Sequence, residues 1–244
     1  MNPVSPTDAE ALMLLTAHLL ALGVACVFCV GIILLHHRAK QFNESLKRLS
    51  PVPFQTIFPR RPVSWLAIRS VSPERVQTAL GLSHFSPCSW SDGLNGEHEF
   101  FVSPRINGWV IVTGLAIPSP DDDVDECFRF LAFLSRKLGH VEYFFAESFS
   151  HHHAWARMDY GCVTRAYAWT GETVWNQGPT TLPENELELK CFDYGEDCPS
   201  SKIAERNCAK VAQLAARWSL DPASVDERLL NQTKGVAGEL PQIY

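Results

Sequence analysis

The sequence predicts an α+β chain in which an apolar N-terminal transmembrane helix precedes a ferredoxin-like β-α-β-β-α-β sheet, extended by a β-hairpin and a C-terminal helix. Three observations predict it: an uncharged run over 11–35, a strand–helix–strand pattern that recurs twice between Ser64 and Ser148, and alternation of small and bulky side chains over 153–169. The 244 residues, 46% hydrophobic and 20% charged, have ordinary globular composition. Acidic residues outnumber basic ones, 27 to 21, and no dense basic stripe is present. The electrostatic footprint of a nucleic-acid binder is therefore missing, and no nucleic-acid partner is expected.

Residues 1–10 form a short tail that carries Asp8 and Glu10 but no Lys or Arg, which argues against a cleaved signal peptide. The apolar run from Ala11 to Leu35 is interrupted by Thr16 and His18. As a helix it would reach about 37 Å, longer than a hydrocarbon core of about 30 Å. The basic residues His36, His37, Arg38, Lys40, Lys47 and Arg48 follow it. The positive-inside rule then gives a single-pass cell-membrane protein, integral through one span, with its C-terminal domain cytoplasmic. On that topology the acceptor motifs at Asn43 and Asn231 stay unglycosylated. The cysteines from Cys88 to Cys208, with no C-x-x-C pair or zinc spacing, stay reduced.

A basic, proline-rich linker spans 36–62, and a soluble domain spans 63–230. Trp65–Arg69 has strand character, Ser72-Pro73-Glu74 opens a helix, and Phe100–Ser103 resumes as strand. The second unit repeats the order. Trp109–Val112 is strand, Ser119-Pro120-Asp121 opens a helix that Gly139 closes, and Tyr143–Ala146 is strand. In that helix Val124, Cys127, Phe128, Leu131, Leu134 and Leu138 recur three or four apart and make one apolar stripe. Asn107-Gly108 joins the two units as a hairpin turn. Strands over 153–158 and 163–170 follow around Asp159-Tyr160-Gly161, then an amphipathic helix over Ser201–Trp218, and a mobile tail over 231–244.

Three constellations are candidates for function. His151, His152 and His153 enter a strand, and His151 with His153 on one face offers two ligands to a metal; no H-E-x-x-H spacing supplies a third. The acidic run Asp121, Asp122, Asp123, Asp125 and Glu126 lacks the glycine and glutamate of a calcium loop and reads as helix capping. The third is a face. Ala154, Ala156, Ala166 and Ala168 alternate with His153, Trp155, Arg157, Arg165, Tyr167 and Trp169, so a helix such as 201–218 is expected to approach the alanine side. The bulky side then becomes an interaction surface, because Trp, Tyr and Arg offer area and directed polar groups. Its alternative is that the tryptophans are core and the arginines pair with carboxylates.

Catalytic and cofactor signatures, G-x-S-x-G and the phosphate loops among them, are absent, so no cofactor is expected; an enzyme has no sequence evidence in its favour, and the balance leans away from one without excluding it. The sequence thus predicts a membrane-tethered binding or regulatory module for a protein or small ligand. The alternatives are a metal-dependent hydrolase using His151 and His153, and a structural subunit of a membrane complex.

Overall fold

Hydrogen bonding in the computed structural model joins nine strands into one antiparallel sheet. The structure describes residues 61–241 except Ser70, Val71, Gly96, Pro199, 227–229 and 231–232. The strands are β1 (Ser64–Arg69), β2 (Ser83–Cys88), β3 (Phe100–Val102), β4 (Trp109–Thr113), β5 (His140–Glu147), β6 (His152–Asp159), β7 (Cys162–Trp169), β8 (Thr173–Gln177) and β9 (Gly235–Glu239). Their order across the sheet is β2-β9-β3-β4-β1-β5-β6-β7-β8. Five helices connect them: α1 (Pro73–Leu80), α2 (Trp90–Leu94), α3 (Val124–Leu138), α4 (Leu182–Glu186) and α5 (Ser201–Trp218).

This corrects the ferredoxin-like expectation. The protein has one continuous nine-stranded antiparallel sheet with few helices, rather than a four-stranded sheet with a separate extension. The reason is continuity of hydrogen bonding. β6 pairs along the whole of β5, β7 pairs with β6, and β8 closes that side. On the other side β2 and β9 add two strands that the sequence pattern hides. β2 is mostly exposed and carries Pro87, so it shows no apolar alternation. β9, Gly-Val-Ala-Gly-Glu, lies in the stretch read as a tail, yet it inserts between β2 and β3. Glycine makes the insertion possible, because a Cβ on Gly235 would collide with the Phe101 ring.

The transmembrane expectation is corrected as well. The run 11–35 lies outside the described residues, and among the described residues no helix is long and apolar enough to cross a membrane. The longest described helix, α5, is amphipathic, burying Val211, Leu214 and Ala215 while Lys202, Glu205 and Arg206 stay exposed. The single-pass cell-membrane assignment, the integral-membrane partnership and the cytoplasmic orientation drawn from them are withdrawn.

Each helix start has a local cause. Ser72 accepts from the Arg75 amide, and the αL residue Gly81 ends α1. α3 starts at Val124 rather than at Ser119-Pro120, because Asp123 accepts from the amides of Asp125 and Glu126 while Ser119 closes a separate turn with Asp121. A full capping box, Thr181 with Glu184, starts α4.

The sheet buries both faces. Leu66, Ile68, Val110, Val112 and Val141 line one face with Ala154, Ala156, Ala166 and Ala168, beneath Val76 and Leu80 of α1 and Cys127, Leu131 and Leu134 of α3. Trp65, Phe144, Trp155 and Tyr167 line the other, beneath Val211, Leu214 and Trp218 of α5. The alanine side therefore receives α3, and α5 covers the bulky side, the reverse of the expected arrangement.

Candidate functional site

Antiparallel register sets the bulky side chains in rows that run across β1, β5, β6 and β7. One row aligns Trp65, Phe144, Trp155 and Tyr167. Trp65 stacks on Phe144 at 5.3 Å between centroids, and Trp155 meets Tyr167 at 5.0 Å. The next row aligns Ala67, Glu142, Arg157 and Arg165. At the end of the sheet, His140 pairs in register with Asp159, and Arg69 with Trp109. Hydrophobic and charged rows thus sit side by side.

The charged row places two arginines opposite each other, a repulsive pairing that is tolerated because each has its own carboxylate. Arg165 is 2% exposed, and its Nε donates to Glu184 Oε1 at 2.8 Å. Its remaining donors reach Asn176 Oδ1, Cys191 Sγ and the carbonyls of Ala166, Gln177 and Gly178. Glu184, fully buried, also accepts from Trp155 Nε1 at 2.8 Å and from the Thr181 amide and hydroxyl, each at 2.7 Å. Every polar atom of this pair is satisfied inside the fold. Burial pushes the neighbouring Cys191 thiol up to about 12, so it stays protonated.

Arg157 is held differently. Its Nε and Nη2 both reach Oε1 of Glu142, at 3.0 and 2.9 Å, and its guanidinium lies over the Trp218 ring at 4.3 Å. Yet 27% of the side chain remains at the surface. The imidazole of His140 bridges Glu142 Oε1 at 3.2 Å and Asp159 Oδ1 at 2.5 Å, with Asp159 39% exposed. Hydrogen bonding to Glu142, and then to Asp159, raises the His140 pKa above its ordinary value against the opposing effect of burial. Oε2 of Glu142 is buried and has no hydrogen-bond partner among the described residues.

The other three residues of the expected interaction face are placed as follows. His153 is 1% exposed; its Nδ1–H donates to the His151 carbonyl at 2.8 Å, so Nε2 accepts from Asn207 Nδ2 at 3.3 Å. Burial lowers its pKa to about 4, which keeps it neutral. Tyr167 is fully buried, and its hydroxyl accepts from the Phe192 amide. Trp169 is partly buried and stacks on His153 at 5.6 Å. Trp155 and Arg165 complete the set under α5 and α4. The face is thus mostly core, partly open only at Arg157 and Trp169.

The histidine triplet does not converge. His151 sits in a turn at φ 58°, His152 pairs with Asp121 at 2.6 Å, and His153 points under α5. Among the described residues no three His, Cys, Asp or Glu side chains are grouped to hold a metal ion. The hydrolase alternative has no ligand set there.

No family model, characterised protein or solved structure matches this chain. The residues that sequence reasoning missed are His140, Glu142 and Glu184; Asp159 is expected only as a carboxylate beside the histidine triplet and instead partners His140. A legible signal existed for one of them, since Glu142 is the lone charge in the apolar run Val141–Ala146. Away from this face, a cleft of about 250 Å³ lined by Ser86, Cys88, Asp92, Asn95, Glu97 and His98 lies at the β2–α2 corner.

Proposed function

We propose that the protein is a binding module that recognises an acceptor group, a carboxylate or amide carbonyl of a protein or small-ligand partner, at the rim formed by Arg157, His140 and Asp159. One observation carries this reading: Arg157, oriented from below by the Trp218 ring and from the side by buried Glu142, keeps part of its side chain at the surface, whereas its cross-strand neighbour Arg165 is enclosed. A guanidinium held in one orientation loses less conformational entropy on binding than a free one, and Arg is the cation best suited to planar acceptors. Arg69, exposed on the adjoining row, adds positive charge. The missing catalytic motifs favour binding over turnover.

The reading is tested by titrating the protein with acetate and with acetamide while following the arginine Nε–H signals by NMR. The Arg157 signal is expected to move more than that of exposed Arg69, and Arg165 to stay still. Arg157→Gln should remove the response and leave the fold intact. Equal, weak shifts at Arg69 and Arg157 would end the proposal.

A further inference from the structure

Two polar groups of the Arg157, His140 and Asp159 rim are pinned on one side and open on the other. Arg157 commits Nε and Nη2 to Glu142 Oε1, and among the described residues nothing accepts from its Nη1. Asp159 gives Oδ1 to His140 Nδ1 at 2.5 Å, and among the described residues nothing donates to its Oδ2. Because His140 Nε2 also reaches Glu142 Oε1, at 3.2 Å, the four side chains form one hydrogen-bonded series. The Trp218 ring lies against Arg157, and Trp109 meets the His140 ring edge-on at 5.6 Å. An unused donor and an unused acceptor are thus fixed at the two ends of that series, with 27% of the Arg157 side chain and 39% of the Asp159 side chain exposed.

We propose that the group recognised at this rim is an amide that bears an N–H, its oxygen accepting from Arg157 Nη1 and its N–H donating to Asp159 Oδ2. This choice of ligand presupposes that the rim binds acceptors, and it narrows their class. Arg157 and Asp159 stand two residues apart on one face of β6, about 6.6 Å along the strand. An amide sets its oxygen and nitrogen about 2.3 Å apart, and with a hydrogen bond of about 2.9 Å at each end it reaches about 8 Å, so one group can engage both. A carboxylate or a tertiary amide can satisfy Arg157 only. The carboxylate would also set a second anionic oxygen against Asp159, a like-charge contact that disfavours it. A donor held by Glu142 and an acceptor held by His140 lose little freedom on binding, so the selectivity is built into the free protein. The side-chain amide of Asn or Gln and the peptide unit of an extended segment share this chemistry.

The test follows the Arg157 Nε–H signal of the full-length chain by NMR during titration with acetamide, N-methylacetamide, N,N-dimethylacetamide and acetate. Acetamide, N-methylacetamide or both should saturate the signal at a concentration about threefold or more below that of the tertiary amide and of acetate, the factor expected of one net hydrogen bond. A preference for acetamide identifies a side-chain amide as the recognised group, and a preference for N-methylacetamide identifies a peptide unit. Asp159→Asn keeps a carbonyl oxygen for His140 but turns the open acceptor into a donor, so it should erase the advantage of the N–H amides and favour acetate. If the tertiary amide or acetate saturates Arg157 as readily as the N–H amides, or if the advantage survives Asp159→Asn, the amide assignment falls while the acceptor-binding rim stands. No movement of the Arg157 signal with any of the four ligands removes both.

Discussion

The two faces of the β6–β7 hairpin solve the same problem, burial under a helix, by different means. The first uses four alanines, which bring α3 close to the sheet and present only apolar side chains to it. The second uses Trp, Tyr, His and Arg, which fill the space beneath α5 and α4 but bring polar groups that must be satisfied one by one. At Arg165 satisfaction is complete and the charge is locked in. At Arg157, one strand away, it is partial and the charge reaches the surface. The same residue type in register on neighbouring strands thus serves structure in one place and is available for recognition in the other. The surrounding carboxylates and helix ends decide which.

The sharpest way to break this comparison is Glu184→Ala, which leaves Arg165 buried without its carboxylate. It is expected to cost about 3–5 kcal/mol in urea unfolding. A loss below about 1 kcal/mol, the range of an exposed pair, would mean that the pair is not enclosed.

Next in size is acid sensitivity. The His153 pKa falls to about 4 in the folded protein from 6.5 unfolded, so its contribution is present above 6.5 and is lost as pH falls toward 4. The expected loss is on the order of 3 kcal/mol, read as the difference in stability between the wild type and His153→Gln along that limb. Parallel pH profiles for the two proteins would contradict the burial of this imidazole. His140 works in the opposite sense. Its raised folded pKa stabilises below the unfolded value of 6.5, and that contribution disappears as pH rises through the folded value. Replacing it with Gln should flatten the profile on the alkaline side.

A smaller effect tests the alanine face. Ala156→Leu forces α3 outward and should cost about 1–3 kcal/mol by overpacking. The smallest concerns the rim, where Asp159→Asn removes a partly exposed partner of His140 and should cost less than about 1 kcal/mol.

Much of the local structure was legible in the sequence. Helices α1 and α3, the Asn107-Gly108 turn, and the β6–β7 hairpin with its alternation all follow from caps, periodicity and turn chemistry. Periodicity cannot say which helix covers which face. The alanines and the bulky residues alternate equally well whether α3 or α5 lies over them, and long-range packing alone decides. β2 and β9 escaped because edge exposure, proline and glycine erase the two-residue pattern. The role of the arginines was hidden because their partners, Glu142 and Glu184, come from a different strand and from the first turn of a distant helix, and register and chain return are what bring them together.

The central claim is that Arg165 is sealed while Arg157 is open, and hydrogen exchange at the two guanidinium Nε–H groups tests it most directly. The account predicts that the Arg165 proton exchanges only through global unfolding, tracking the most protected backbone amides of β5 and β6, and that the Arg157 proton exchanges orders of magnitude faster under native conditions. Equal protection of the two protons would contradict it.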